Sequence, residues 1–518
     1  MQKAYEFIYK YAMIMQSVGI RSLAVSFPHT IRTNQYWLQK FPKFGTQTIQ
    51  RQARVPKSVE LMSQNGLDIW LQEVTPYLSD PFRGSVKRRV LASDESSLLL
   101  ECHAAQDALT AAKLPAEEVD LVLVSSLFPN AVGPGLAAHL ARELGLRCPA
   151  WNLESTCSGA LIALETAQAF LHTGAYHNIL IVVSHIGSHA VNEEDTLSWS
   201  MGDGAGACVV GFVKPAQGIL STKIIPTTAT CGAYMHELVI DSQGKPRIQT
   251  CTGDAVSILA ETAVDFVRHC CQEAVSAAGV SLEQINFFAF NTPTAWYAVV
   301  CAKALGIDPG RVIDLYPLYA NIGPVFPVAN LYHAVSAGKI CENDLVLVYA
   351  NGAGATAAAT VIRWGDVALG SAPTERSHQA EGTIHLATQI SIPDAPRAVT
   401  AGFSCLKENF FAANAEERRS ILEAYLLEWL ANSRQSPSQL NAQQFLTTLL
   451  DSLMAIVFRS QIETDLQIRV PMEKFFGDNT IRHLTDFLLN QLTVAEITAS
   501  NSLAVIPANQ SEREIVSL

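Results

Sequence analysis

The chain carries little charge for its size: 16% of its 518 residues are Asp, Glu, Lys or Arg, against 49% hydrophobic. Self-repulsion on that scale does not keep a chain unfolded, so the protein is globular and has the material for a sizeable core. Its 36 basic residues are outnumbered by 48 acidic ones, a net charge of −12, which excludes a chain-wide nucleic-acid surface. No apolar run reaches the roughly 18–20 uninterrupted residues that span a bilayer. Residues 1–17 interleave Lys3, Glu6 and Lys10 with apolar side chains, so neither a membrane span nor a secretory signal is expected. The 11 cysteines include no CxxC pair, and Cys270 and Cys271 are adjacent. A structural zinc site or a regular disulfide framework is therefore not expected, and reduced thiols in the cytoplasm are the simplest consequence. His185 and His189 lie four apart as a metal pair would, but a third ligand is missing and no metal is expected.

Up to Trp364 the chain alternates β-rich apolar runs with Ala-rich helical stretches. Val119-Asp-Leu-Val-Leu-Val-Ser125, Asn178-Ile-Leu-Ile-Val-Val-Ser184 and Asp344-Leu-Val-Leu-Val-Tyr349 are continuous apolar strands of the kind that helices bury on both faces. The fold class is α/β. Met201-Gly-Asp-Gly-Ala-Gly-Ala-Cys208 and Ala350-Asn-Gly-Ala-Gly-Ala-Thr356 share a Gly-Ala-Gly-Ala core followed by a strand, which suggests an internal duplication. Neither passage has the glycine spacing of a nucleotide loop, so tight turns and close backbone approach explain them better. The spacing places a first domain at 1–366, a linker at 367–414, a helical unit at 415–492 and a polar tail at 493–518. A flexible linker of that length has an r.m.s. span of roughly 35–40 Å, enough for delivery between domains.

Within the helical unit, Leu450-Asp-Ser-Leu-Met-Ala-Ile456 places a serine at a helix start, where Asp451 and Ser452 could simply cap the helix. The phrase also resembles the phosphopantetheine attachment motif of polyketide-type acyl carrier proteins, with Ser452 as acceptor. The likeness continues through Arg459–Pro471 and Phe475–Leu484 and covers about residues 415–492, although Leu449 stands where that family usually has glycine. It implies an all-α four-helix carrier domain, a covalent 4'-phosphopantetheine on Ser452 and a phosphopantetheinyl transferase as partner.

Trp151-Asn-Leu-Glu-Ser-Thr-Cys157-Ser-Gly-Ala-Leu161 reads as a strand, a turn and an Ala-rich helix. Cys157 then lies at a helix N-terminus, where unpaired N–H groups favour the thiolate. Ser158, Gly159 and Ala160 leave room for an acyl chain, and the alternative is a buried, inert cysteine. This segment, with Lys87-Arg-Arg-Val-Leu-Ala-Ser-Asp-Glu95, Gly202-Asp-Gly-Ala-Gly206 and Val361-Ile-Arg-Trp364, resembles beta-ketoacyl-acyl carrier protein synthase III, of the thiolase-like superfamily, over roughly 19–364. The resemblance implies a duplicated five-layer thiolase-like fold, a homodimer and a Cys-His-Asn triad, with Cys157 as nucleophile and Asn321, in Tyr319-Ala-Asn321, as the asparagine. Aligned with the family's Pro-His-Gln-Ala-Asn phrase, Phe290-Asn-Thr-Pro-Thr294 puts Asn291 in the histidine's place. Trp296 falls where many members carry an arginine near the entrance for the pantetheine-bearing partner.

An amide donates hydrogen bonds but cannot accept and return a proton near neutral pH. Asn291 and Asn321 together could polarise a thioester carbonyl. Acyl transfer from a CoA or carrier thioester through Cys157 to the arm on Ser452, in polyketide or specialised lipid biosynthesis, is thus favoured over decarboxylative condensation with a malonyl unit on the carrier. A non-catalytic domain that only docks carrier proteins or other biosynthetic enzymes is a third reading. His333 is a substitute base or an ordinary packed histidine, and Cys208 is a packing residue on a strand.

Overall fold

The computed structural model describes residues 16–41, 66–129, 133–240, 246–253, 255–373, 410, 413–434, 440–450, 452–466, 468–476 and 478–502. Residues 374–409 of the expected linker and 503–518 of the expected tail lie outside them. The described residues fall into two units, one reaching residue 373 and the other starting at 410.

The first unit is built on two sheets. One has six strands in the order β14 (Ala368–Leu369), β1 (Val18–Ser26), β7 (Asp203–Phe212), β6 (Asn178–Ile186), β4 (Leu121–Leu127) and β5 (Ala150–Asn152). The other runs β11 (Phe287–Phe290), β12 (Leu345–Asn351), β13 (Thr356–Arg363), β8 (Gly218–Pro226). The order β1-β7-β6-β4-β5 repeats as β8-β13-β12-β11, and an isolated parallel bridge from Phe288 to Val312 takes the place of β5 in the second copy. The first Gly-Ala-Gly-Ala passage lies inside β7, antiparallel to β6, rather than before a strand, whereas the second is the turn that leads into β13, antiparallel to β12.

The expected strands are buried on both faces because helices cover both. Gly159–His172 and Phe326–Ser336 fill the space between the sheets, where Ala160, Ala163, Ala167, Ala329 and Ala334 share one core with β1, β6, β12 and β13. Small side chains let these helices approach both sheets. Ser97–Ala111 and Leu136–Glu143 cover the outer face of the first sheet, and Val256–Ala277 packs on β8 and β13 of the second. Helix, sheet, helix, sheet, helix is the five-layer arrangement. Two small pairs complete the unit: β2 (Thr30–Thr33) with β3 (Lys87–Val90), and β9 (Tyr234–Ile240) with β10 (Pro246–Thr252). The chain beyond Trp364 stays attached for several residues: β14 pairs with β1, Gly370 N–H donates to Leu23 O at 2.8 Å, and Tyr332 Oη donates to Gly370 O at 3.0 Å.

The second unit is helical: Ala415–Arg434, Ser452–Leu466, a 3-10 turn Met472–Phe475, and Ile481–Ser502. Leu422, Leu426 and Leu430 are buried with Phe458, Ile462, Leu484 and Leu488, and Trp429 stacks on Phe458 at 4.1 Å between centroids. Leu449, the departure from the carrier pattern, is buried at the end of the single turn Leu446–Leu449, so its bulk is absorbed by the core. No helix among the described residues is long and apolar enough to cross a membrane.

One buried acid tests this packing. Glu101, on Ser97–Ala111, is fully buried, accepts from Ser184 Oγ, and lies beside the Ser126–Ser184 hydroxyl pair at 2.7 Å. Burial pushes its carboxyl up to about 8. A folded-state pKa above the unfolded value means stability present at low pH and lost as pH rises from about 4.5 through about 8. The slope from one such proton is at most about 1.4 kcal/mol per pH unit. In thermal unfolding at pH 5.5 and 8.5, Glu101→Gln should therefore show a smaller fall in Tm than the parent. Equal falls would show that the carboxyl is ionised in the folded state.

Candidate functional site

β5 delivers the chain to a tight turn. Glu154 Oε1 accepts the Thr156 N–H at 2.6 Å, and Thr156 takes the left-handed conformation, φ +48°, which a β-branched residue adopts only under constraint. The constraint comes from the opposite half of the duplication. Ser158 Oγ donates to Ser155 O at 2.7 Å, and the Oγ1 of Thr356 in β13 lies 2.7 Å from Ser155 Oγ and 2.9 Å from Ser158 Oγ. Gly352 packs so closely that a Cβ there would stand 2.3 Å from Thr156 Oγ1 and 2.6 Å from Ser155 O. Cys157 sits inside the resulting 3-10 turn Thr156–Ser158, which runs straight into the helix Gly159–His172.

The turn packs on Gly323–Val325, and that segment holds both amides. Asn291, the first residue after β11, is fully buried and donates from Nδ2 to Gly323 O at 3.0 Å. Its Oδ1 has no hydrogen-bond partner among the described residues. Asn321 Oδ1 accepts the Gly323 N–H at 2.9 Å, which leaves its Nδ2 hydrogens as the donors it can offer. The structure thus gathers the three residues marked in the sequence into one neighbourhood and gives the two amides opposite characters. Asn321 offers a donor, while Asn291 offers an acceptor beside a partly used NH₂. The difference arises because one glycine binds one amide through its N–H and the other through its C=O.

The electrostatic expectation for Cys157 also reverses. Instead of a thiol lowered by helix-terminal N–H groups, Cys157, although only half-buried as a residue, is pushed up to about 12 by desolvation of its sulfur, with the Glu154 carboxylate adding to the rise. The backbone N–H acts in the expected direction but is the smallest of the three effects. Glu154 and Tyr234 are the titratable groups that composition and spacing did not single out. Tyr234, on β9, keeps 39% of its surface exposed, yet its phenol is raised by local desolvation and by charge coupling to Cys157. Glu154 was legible in principle as a charged residue in an otherwise small and polar turn. Tyr234 was not, being far from Cys157 in sequence.

Other residues fall elsewhere. Trp296 is buried against Trp70 and Tyr77, with ring centroids 6.0 and 5.6 Å apart, so an aromatic cluster occupies the position of the family's arginine. His333 is held by Tyr319 Oη at 3.0 Å from its Nε2. His185 is buried, donates from Nδ1 to Gly202 O at 2.7 Å, and is pushed down to about 4 by burial, whereas His189 is exposed. No group of three metal-binding side chains exists among the described residues. Cys208 is buried on β7 as a packing residue. Ser452 opens the helix Ser452–Leu466; its side chain lies outside the described residues. A helix start, with its unpaired first-turn N–H groups, is a position that suits a phosphodiester.

Residues 151–227 match the family model for 3-oxoacyl-[acyl-carrier-protein] synthase III, residues 275–364 match its C-terminal model, and residues 444–488 match a phosphopantetheine attachment site. The chain is 31% identical over 294 residues to a beta-ketoacyl-[acyl-carrier-protein] synthase III of Bartonella henselae, covering 54% of this chain and 89% of that one. The crystal structure of 3-oxoacyl-[acyl-carrier-protein] synthase III from Aquifex aeolicus superposes with TM-score 0.53 and 25% identity, covering 67% of this chain and all of that one. The priming beta-ketosynthase of the R1128 polyketide pathway has the same fold, with TM-score 0.56 and 20% identity over 68% of this chain and 97% of its own.

The raised thiol sets an expectation for labelling. In the resting protein at pH 8, iodoacetamide should modify the exposed Cys231 and Cys341 first. Cys157 should react roughly 100-fold or more slowly, since the thiolate is the nucleophile. Peptide mapping that found Cys157 labelled first would show that the turn stabilises the thiolate after all.

Proposed function

From the premise that the chain belongs to the beta-ketoacyl-[acyl-carrier-protein] synthase III family and carries a phosphopantetheine attachment domain, we propose that it is an acyltransferase serving its own carrier domain. Cys157 takes an acyl group from a CoA or carrier thioester. It passes the group to the thiol of the arm on Ser452, without forming a carbon–carbon bond. The chemistry the arm supplies is that thiol. Asn321 polarises the thioester carbonyl through Nδ2, with backbone N–H groups of the turn as further oxyanion donors.

The observation that carries this reading over condensation is Asn291. Its Nδ2 is tied to Gly323 O and its Oδ1 is an unpartnered, buried acceptor. Decarboxylation of a malonyl thioester develops an enolate oxygen that needs donors, and an amide oxygen repels it. The arm's thiol, when bound beside Asn291, would instead supply an S–H donor of the kind Oδ1 can accept. Condensation to a 3-oxoacyl product is the second reading, supported by the activity for which the family's relatives are named.

Holo-protein incubated with acyl-CoAs should gain acyl mass on Cys157 and on the arm. Cys157→Ala should abolish both, and Ser452→Ala should abolish the arm itself. A protein that takes up no acyl group would point to a carrier-docking scaffold. With malonyl on the carrier and acyl-CoA present, little or no CO₂ should be released. Robust CO₂ and 3-oxoacyl product from the unmutated protein would establish condensation instead. Asn291→His should raise CO₂ release above the parent's if the missing imidazole is what limits decarboxylation.

A further inference from the structure

An acyl-loading step through Cys157 needs somewhere to put the thiol's proton, and the residue in the histidine's place cannot take it. The histidines around the core are committed elsewhere: His185 to Gly202 O, His236 to Thr250 Oγ1 at 3.0 Å, and His333 to Tyr319. The nucleophile turn itself carries a carboxylate. Glu154 lies three residues before Cys157 and is folded back onto the turn through the 2.6 Å bond from Thr156 N–H, one peptide away from the nucleophile. The turn it grips is fixed from within by Ser155, Ser158, Thr356 and Gly352, so the backbone that carries both Glu154 and Cys157 is held in place. Glu154 is exposed as a residue, and that bond holds its carboxylate against the backbone of the turn.

We propose that Glu154 is the proton acceptor for Cys157 in acyl loading, in the role left open by Asn291; this rests on Cys157 being the acylated residue. The proton leaves Sγ for the Glu154 carboxylate as the sulfur forms its bond to the thioester carbonyl carbon. The tetrahedral adduct then collapses, breaking the bond to the CoA sulfur, and that sulfur takes the proton back from Glu154. Acyl-CoA and a free thiol become acyl-Cys157 and CoA, and Glu154 ends as it began.

Electrostatics favour this route. Loss of the thiol proton to solvent would put a thiolate beside a carboxylate in a desolvated turn, the repulsion that helps to hold the thiol high. Transfer to Glu154 moves one negative charge without adding another. Burial also raises the Glu154 carboxyl above its ordinary value, which makes it a better base. Tyr234, the titratable group facing Cys157 from β9, stays protonated when its phenol is raised and is a donor.

The test uses full-length protein with Glu154→Gln and Glu154→Ala. The glutamine keeps an oxygen for Thr156 N–H but cannot accept a proton. In single-turnover loading from acyl-CoA, followed by quenched intact-mass analysis, Glu154→Gln should slow acylation about 100-fold or more, with acyl-CoA affinity unchanged. Formate or acetate should restore loading of Glu154→Ala in proportion to its concentration. Loading of Glu154→Gln at the parent's rate or faster, or no response of Glu154→Ala to formate, would overturn the assignment. A parent protein that never loads Cys157 would overturn both this and the transfer reading. Loading followed by CO₂ release from malonyl carrier would remove only transfer, since both reactions share the loading step.

Discussion

Gly323 is the residue on which the site is built. It lies in the left-handed region, φ +50°, where it presents its N–H to Asn321 and its C=O to Asn291. A Cβ there would stand 2.5 Å from His185 Cδ2, so a side chain would push the segment off the first sheet. Because the turn bearing Cys157 packs on the same segment, one backbone peptide pair fixes the neighbours of Cys157, orients both amides and decides which atom each can offer. A chemical difference between two asparagines follows from the direction of a single residue's hydrogen bonds.

The duplication makes that arrangement possible. Each half ends a strand at the seam between the sheets, so β5 brings Cys157 while β11 and the β12–β13 turn bring Asn291 and Gly352 from the other copy. Ser155, Ser158 and Thr356 tie the copies together across the seam with three hydroxyls. The buried, small-residue helices between the sheets hold the two copies in register, and each half-site is incomplete without the other. The early basic element is part of this scaffold rather than of the chemistry. Arg88 is buried, donates to Trp199 O and to Asn34 Oδ1 at 2.8 Å, and lies over Trp37.

Charge is managed by burial more than by pairing. Cys157, Glu101 and Glu154 are all moved toward their neutral forms by desolvation, and His185 likewise is held neutral. A site of this kind favours reactions in which a proton moves between neighbours over those that create an ion in place.

The sequence by itself determined the class, the duplication and the two-part organisation. Continuous apolar strands, paired Gly-Ala-Gly-Ala passages and the Asp451–Ser452 phrase are local signals that survive without coordinates. It also marked Cys157, Asn291 and Asn321 through family phrases. Only the tertiary structure decided what those residues are. The thiol's height depends on how much protein surrounds it and on Glu154, and the polarity of Asn291 depends on a carbonyl 32 residues away. Tyr234 reaches the site from a hairpin, and Trp296 is sealed by Trp70 and Tyr77. Periodicity and motif spacing record which face of an element is buried; desolvation and hydrogen-bond direction arise only when distant elements meet.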